Sequence, residues 1–204
     1  MNHTKIYSLS LLLLLISFGS FAQKEKEVFI SASWSTAVPM GAMTDYVKVA
    51  TGRGFQIDIS QSITENIFYG GNMGWQMFYE EGMAMHTIEN VTATALQRNT
   101  INAIQLMGFS RFYFVTSATK IKAYLNMEIG ATFIANESKF WKYIAQEMEW
   151  HFALSPGVGI DIPASENLGI NIYMKFPNSF KSNGSDHYMW INTGIGMYFK
   201  IPNS

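Results

Sequence analysis

The sequence predicts an all-β protein, an eight-stranded antiparallel up-and-down transmembrane β-barrel, and three observations carry that prediction. A leader of the secretory kind opens the chain. Segments of roughly ten residues, with apolar and polar side chains in alternation, then recur from Val28 to the end. The connections between those segments are alternately short and long. Ten alternating residues match a tilted membrane strand, and short turns at one end with long loops at the other are the habit of barrels in an outer membrane.

The leader comes first. Lys5 supplies a positive start, Leu9 to Phe18 an apolar core, and Gly19-Ser20-Phe21-Ala22 small residues before the polar Gln23. Small side chains at Ser20 and Ala22 fit the cleavage rule, so residues 1–22 are expected to leave as a signal peptide and residues 23–204 to form one domain. An uncleaved anchor fits less well, because the apolar run is short for a bilayer and a cleavage motif follows it directly. No second run of this kind appears. A mature chain that sits in a membrane must then do so as a closed sheet, the alternative that pairs every backbone group without a helix.

The strands follow in order. The first lies near Val28 to Thr36. In the second, Phe55, Ile57 and Ile59 share one face and Gln56, Asp58, Ser60 and Ser62 the other. The third sets Ile67, Tyr69, Met73, Trp75 and Met77 against Gly70, Asn72, Gly74 and Gln76; the fourth runs near Thr100 to Phe114. The fifth opposes Ile121, Ala123, Leu125, Met127, Ile129 and Ala131 to Lys122, Tyr124, Asn126, Glu128 and Thr132. The sixth opposes Trp150, Phe152, Leu154, Val158 and Ile160 to His151, Ser155, Gly157, Gly159 and Asp161, with Pro156 marking an expected bulge or kink. The seventh places Leu168, Ile170, Ile172, Met174 and Phe176 against Gly169, Asn171, Tyr173 and Lys175. The last places Ile191, Ile195, Met197 and Phe199 against Asn192, Gly194, Gly196, Tyr198 and Lys200. Glycines on the polar face suit a narrow interior, and aromatics near strand ends suit interfacial girdles.

Short polar turns fall at Thr64-Glu65-Asn66, Thr116-Ser117-Ala118-Thr119 and Ala164-Ser165-Glu166-Asn167, while residues 37–52, 79–99, 136–148 and 177–186 form the longer connections. A soluble sandwich has no reason to sort its loops in this way. Composition agrees. Only 14% of residues are charged and 15% are aromatic, which disfavours both disorder and the Lys/Glu-rich exterior of a soluble enzyme. A net charge of -1 with no basic stripe sets nucleic acid aside. The absence of cysteine removes disulfides, thiolate metal sites and cysteine nucleophiles.

These features together resemble the small bacterial outer-membrane β-barrel family, the group that includes the OmpA transmembrane domain, OmpX and OmpW. The resemblance rests on the leader ending Phe21-Ala22-Gln23, the Pro39-Met40-Gly41 loop, and the run Gly54-Phe55-Gln56-Ile57-Asp58-Ile59. It rests further on Asn66-Ile67-Phe68-Tyr69-Gly70-Gly71-Asn72-Met73-Gly74-Trp75 and the closing Gly194-Ile195-Gly196-Met197-Tyr198-Phe199. It spans the mature chain as a loose pattern. It implies contact with outer-membrane lipid and lipopolysaccharide and handling by the barrel-assembly machinery. Family members usually end on an aromatic residue, whereas Lys200-Ile201-Pro202-Asn203-Ser204 follow Phe199 here.

Chemistry is expected first of the inward charges Asp58, Arg111, Glu128, Asp161 and Lys175, with Arg53 as a further member. By depth along their strands, Asp58 and Glu128 belong near mid-barrel, Lys175 towards the outer end, and Arg111 with Asp161 nearer the periplasm. A charge in a narrow barrel must be paired or hydrated, so these residues form either a structural ion network that fills the lumen or a polar plug gating a small pore. Ser185, Asp186 and His187 are poor candidates for a catalytic triad, because adjacent side chains diverge. His151 is expected to point inward as a satisfied histidine, and His86 lies in the second long connection. Met73, Met77, Met83 and Met85 are read as lipid-facing or loop residues before they are read as a metal site. Glu80, Glu81 and Glu89 are read as solvated carboxylates before a cation or lipopolysaccharide contact. Asn90-Val91-Thr92, Asn136-Glu137-Ser138 and Asn183-Gly184-Ser185 match glycosylation acceptors, a pattern frequent by chance.

The expected function is that of a non-enzymatic membrane barrel without cofactor. Its role would be structural, in surface interaction through the outer loops, or in passage of a small apolar molecule. Two rivals stand beside it: a barrel enzyme modifying outer-membrane lipids, and a soluble exported lipocalin-like barrel holding a small ligand. The last requires the apolar face inside.

Overall fold

The computed structural model describes residues 27–88, 91–114, 121–141, 143–181 and 186–201. The expected leader and the turn at 116–119 lie outside them. The strands are β1 (Val28–Met40), β2 (Thr51–Ser62), β3 (Ile67–Ile88), β4 (Val91–Phe114), β5 (Lys122–Phe140), β6 (Tyr143–Pro163), β7 (Leu168–Lys175), β8 (Asn178–Ser179) and β9 (Tyr188–Ile201), with a 3-10 turn over Gly41–Asp45. Every pairing is antiparallel, neighbours in sequence from β1 to β7 are neighbours in the sheet, β7 pairs with β9, and β1 pairs with β9 to close the ring. The stub β8 continues the line of β7 against β6 and β9, so the wall has eight staves, as the sequence predicts.

The paired residues fix the geometry of the ring. One circuit runs Ile30, Ile59, Gly71, Gly108, Ile129, Leu154, Asn178, Met189 and returns to β1 at Met40, ten residues beyond its start. With a rise of about 3.3 Å per residue and strands about 4.8 Å apart, that stagger tilts the staves by roughly 40° and sets a backbone radius of about 8 Å. Such a tube is filled by its own side chains.

Alternation decides which side chains those are. Met127 is 55% exposed and its neighbour Glu128 only 1%. The same contrast repeats along β1, where Ser31, Ser33 and Ser35 are buried while Ile30, Trp34 and Val38 face out. The apolar face is therefore the outer one, the reverse of what a soluble ligand-holding barrel needs. On β3 to β6 the outward apolar row covers about eleven residues per strand, Ile67 to Met77 on β3 and Ala123 to Phe133 on β5, which at this tilt spans about 25 Å. Phe55, Trp75, Phe133 and Trp150 ring its outer edge as two aromatic pairs, whereas Phe68, Phe109 and Tyr113 turn inward. Among the described residues no helix is long and apolar enough to cross a membrane.

The structure differs from the sequence reading in three places. Residues 79–99 and 136–148, expected as loops, are mostly strand: β3 pairs with β4 as far as Ile88 and Val91, and β5 with β6 as far as Phe140 and Tyr143. Above the belt both faces of a ribbon meet water. Polar runs such as Gln97-Arg98-Asn99-Thr100 therefore lose the alternation that reveals strands elsewhere. Trp141, at φ 53°, turns the second hairpin. Pro156 causes no bulge, since Met127 still pairs with it and the register of β6 is unbroken from Lys122–Asp161 to Phe140–Tyr143. Its carbonyl accepts the Phe176 N–H at 2.9 Å, and strand pairing lapses on the neighbouring stave at Phe176–Pro177, between β7 and β8. The register shift that does occur lies between Ser35 and Ala37 on β1. Finally, Arg53 shares the parity of Phe55 and faces out, not into the lumen.

Candidate functional site

The lumen is packed in three tiers. At the short-turn end Phe29, Phe68, Tyr113 and Tyr124 form an aromatic cluster, with ring centroids 5.4 Å apart for Phe29–Phe68 and 4.9 Å for Phe68–Tyr113. At the opposite mouth Phe78, Ile101, Ile134, Tyr188 and Trp190 pack beneath Met43 and Val47. Those two side chains come from the segment joining β1 to β2, which opens with the 3-10 turn and buries both of them fully in this cluster. The Tyr46 hydroxyl donates to Asp186 at 2.7 Å and so ties this cap to the segment before β9. That bond to a carboxylate, and partial burial, push the Tyr46 hydroxyl up from 10.0 to about 12.

Between the two apolar tiers lies a polar one, and it holds all five charges expected there. Arg111 on β4 meets Asp58 on β2 at 3.5 Å, and Lys175 on β7 meets Glu128 on β5 at 2.7 Å. Both pairs are buried. Asp161 on β6 pairs directly with no cation among the described residues; it accepts the Tyr113 hydroxyl at 2.6 Å and an N–H from Asn171, and Tyr113 in turn accepts from Arg111 at 3.4 Å. Gln56 joins the pairs, donating to Asp58 and accepting from Lys175. Ser31 adds a bond to Asp58 at 3.0 Å and Asn126 one to Glu128 at 2.7 Å. Residues that depth along the strands would separate are thus one continuous network, from Glu128 through Lys175, Gln56, Asp58, Arg111 and Tyr113 to Asp161. The Arg111 guanidinium also stacks 4.3 Å from the centre of the Tyr124 ring, which replaces part of its hydration.

Glutamine, asparagine and tyrosine complete this network, and a reading that counts charges misses them. Parity could have found them, since Gln56, Tyr113, Asn126 and Asn171 occupy the same alternating positions as the charges. The space among Gln56, Asp58, Arg111, Tyr124, Asn126, Tyr173 and Lys175 is about 180 Å³ and admits no water-sized sphere. Large side chains fit so tightly because glycines face them. Tyr124 lies over Gly159, Tyr173 over Gly194 and Tyr198 over Gly169, each a direct cross-strand pair. A Cβ at any of these three glycines would collide with the opposing phenol ring.

The remaining candidates come apart. Ser185 lies outside the described residues, Asp186 is engaged by Tyr46, and the His187 ring stacks on Phe180 at 5.8 Å. His151 is buried and its Nδ1 lies 2.9 Å from the Phe180 carbonyl, with its ring edge-on to Tyr188. Among the described residues no group of three or more His, Asp or Glu could hold a metal ion. Met73 lies on the lipid-facing wall, while Met83 and Met85 stand exposed above it. Glu81 pairs with Arg98 and Glu80 accepts the backbone N–H of Lys48.

No family model matches the sequence, and no curated protein matches it. Solved structures do. Neisserial surface protein A superposes with a TM-score of 0.54 at 11% identity, over 87% of this chain and 98% of that one. A major outer membrane protein from Thermus thermophilus gives 0.54 at 8% identity, over 87% and 100%. The N-terminal β-barrel domain of Pseudomonas aeruginosa OprF gives 0.51 at 12%, over 86% and 97%. At such identities the likeness is one of fold, and the chain is built on the eight-stranded barrel of small outer-membrane proteins.

Proposed function

We propose that the protein is exported with loss of residues 1–22 and spans the outer membrane as a closed, non-conducting and non-enzymatic barrel that carries two long hairpins to the cell surface. The observation that carries this reading is the filled lumen. An apolar cap, an ion network and an aromatic cluster follow one another along the axis, and the space among the charges admits no water-sized sphere. The outward apolar row, about 25 Å tall, matches the hydrocarbon thickness such barrels cross. The tips of β3–β4 and β5–β6 stand well clear of it, so surface contacts fall to those hairpins. Buried acids and bases engaged with one another and shut away from solvent are poorly placed for catalysis.

The test has two parts. Unboiled protein from isolated outer membranes should migrate differently from boiled protein in mild SDS, as a closed barrel does. Reconstituted in a planar bilayer, the same protein should show no steady conductance. Recovery in the soluble fraction without a mobility shift would refute the membrane reading, and sustained channel currents would refute the closed lumen.

A further inference from the structure

Charge is unevenly shared between the two faces of the hairpins above the belt. Glu147 and Glu149 on β6 lie on the face turned to the barrel axis, directly across from Asn136 and Ile134 of β5. The cations Arg98 and Lys139 stand opposite one another on the outer face of β4 and β5. Across the mouth Asp186 accepts the Tyr46 hydroxyl at 2.7 Å, and Glu80 is taken by the Lys48 backbone N–H. Among the described residues no Lys, Arg or His pairs with Glu147, Glu149 or Asp186. These carboxylates surround one buried phenol. Burial holds the Tyr188 hydroxyl above its ordinary value; a hydrogen bond from Asn136 opposes that, and nearby Asp186, Glu147 and Glu149 add to it. Two atoms set this cluster apart from a solvated acidic surface. Asn136 is 6% exposed and its Oδ1 has no hydrogen-bond partner among the described residues. Oε2 of Glu149 is shut from solvent and has none either. Both are acceptors, and buried acceptors side by side call for a donor that the chain does not supply.

We propose that Asn136, Glu147, Glu149 and Asp186 form a binding site for a linear aliphatic polyamine at the outer mouth. One ammonium sits between Glu149 and the Asn136 oxygen, and a second reaches across towards Asp186. The site rests on the reading that the chain spans the outer membrane only in that this mouth then faces outward. Chemistry selects ammonium, which donates without accepting and carries the compensating charge. Spacing selects several ammoniums on one chain over a single ion. Glu147 and Glu149 are two residues apart on one face, about 7 Å along the strand, with Asp186 on the far side of Tyr188. No group of three or more His, Asp or Glu among the described residues could hold a metal ion. The methylenes between the ammoniums meet the partly buried Tyr46 ring, 6.4 Å from that of Tyr188.

The experiment is isothermal titration of the full folded barrel in zwitterionic detergent with spermidine, butylamine and magnesium chloride, all at one ionic strength. Wild type should bind spermidine at least tenfold more tightly than either of the others. Glu149→Gln should weaken spermidine about tenfold, and the more exposed Glu147→Gln about threefold. Glu137→Gln removes the same charge from the outer face, where Glu137 meets Lys139 at 3.0 Å, and should leave the affinity unchanged. A loss in Glu149→Gln no larger than in Glu137→Gln overturns the site, because diffuse attraction would then account for the binding. Butylamine or magnesium bound as tightly as spermidine overturns the polyamine assignment. The boiled-against-unboiled mobility shift, read on the same samples, separates failure of this site from failure of the barrel itself. Where Glu149→Gln does not fold, Glu147→Gln decides.

Discussion

Replacing Lys175 by Met isolates what the buried network contributes. The side chain is 3% exposed, meets Glu128 at 2.7 Å and donates to Gln56. Methionine fills nearly the same space, so the lost volume is small and the loss is electrostatic. Glu128 then keeps its Asn126 bond but stands charged, 1% exposed and without a cation, a situation that costs about 3–5 kcal/mol. With a urea slope of about 2 kcal/mol per molar, the unfolding midpoint should fall by roughly 2 M. The assay is urea titration in mild detergent, followed both by gel mobility and by tryptophan fluorescence. The double variant Lys175→Met with Glu128→Leu removes the stranded charge and should recover most of the loss. The surface pair offers a scale: Lys139→Met, which breaks a contact to Glu137 between half-exposed side chains, should cost no more than about 1 kcal/mol. If the single variant loses less than about 1 kcal/mol, or the double is as unstable as the single, the network does not act as a mutually neutralising unit.

Other consequences are as direct. Gly159→Val drives a side chain into the Tyr124 ring and towards the Ile172 carbonyl, 2.8 Å from where a Cβ would sit, and should cost about 1–3 kcal/mol in the same titration. Met43→Ala empties the cap above Trp190 and should cost about 2–5 kcal/mol of local stability, seen as faster amide exchange confined to residues 41–50; exchange unchanged there would show that Met43 does not hold the cap. The Tyr46 hydroxyl has a folded-state value raised above its unfolded one, so its contribution to the cap is complete below about pH 10 and is lost as pH rises towards about 12. Ultraviolet difference titration of wild type against Tyr46→Phe should show this single phenol ionising late, and a midpoint near 10 would remove the Asp186 bond from the account.

Much of this was legible beforehand because a narrow barrel enforces strict alternation. A charged residue on the polar face, such as Glu128, has nowhere to go but the lumen, and its depth follows from its place along the strand. Partners were not legible: Asp58 and Arg111 lie on different strands, and their meeting depends on the stagger of the ring, which no local pattern encodes. A reading that weighs charge above parity puts Arg53 in the lumen, although Phe55 two residues on shows which way it points. The cap was missed for another reason. Met43 and Val47 sit in a connection of mixed composition, where burial is decided by how the chain turns over the mouth. The hairpins of β3–β4 and β5–β6 escaped because water on both faces erases the signal that lipid imposes.

The ten-residue stagger has a consequence for how such a protein can change. Because it is even, the alternation that starts at Ile30 is in phase when the circuit returns at Met40. One residue gained or lost within the belt would put lipid-facing and lumen-facing rows out of step on that stave and every pairing beyond it. Length can vary freely only where two strands grow or shrink together, at the free ends of the hairpins. The wall is therefore closed to insertion and deletion while the surface stays open to both, so the part seen by other cells and molecules can diversify without renegotiating the part that holds the membrane.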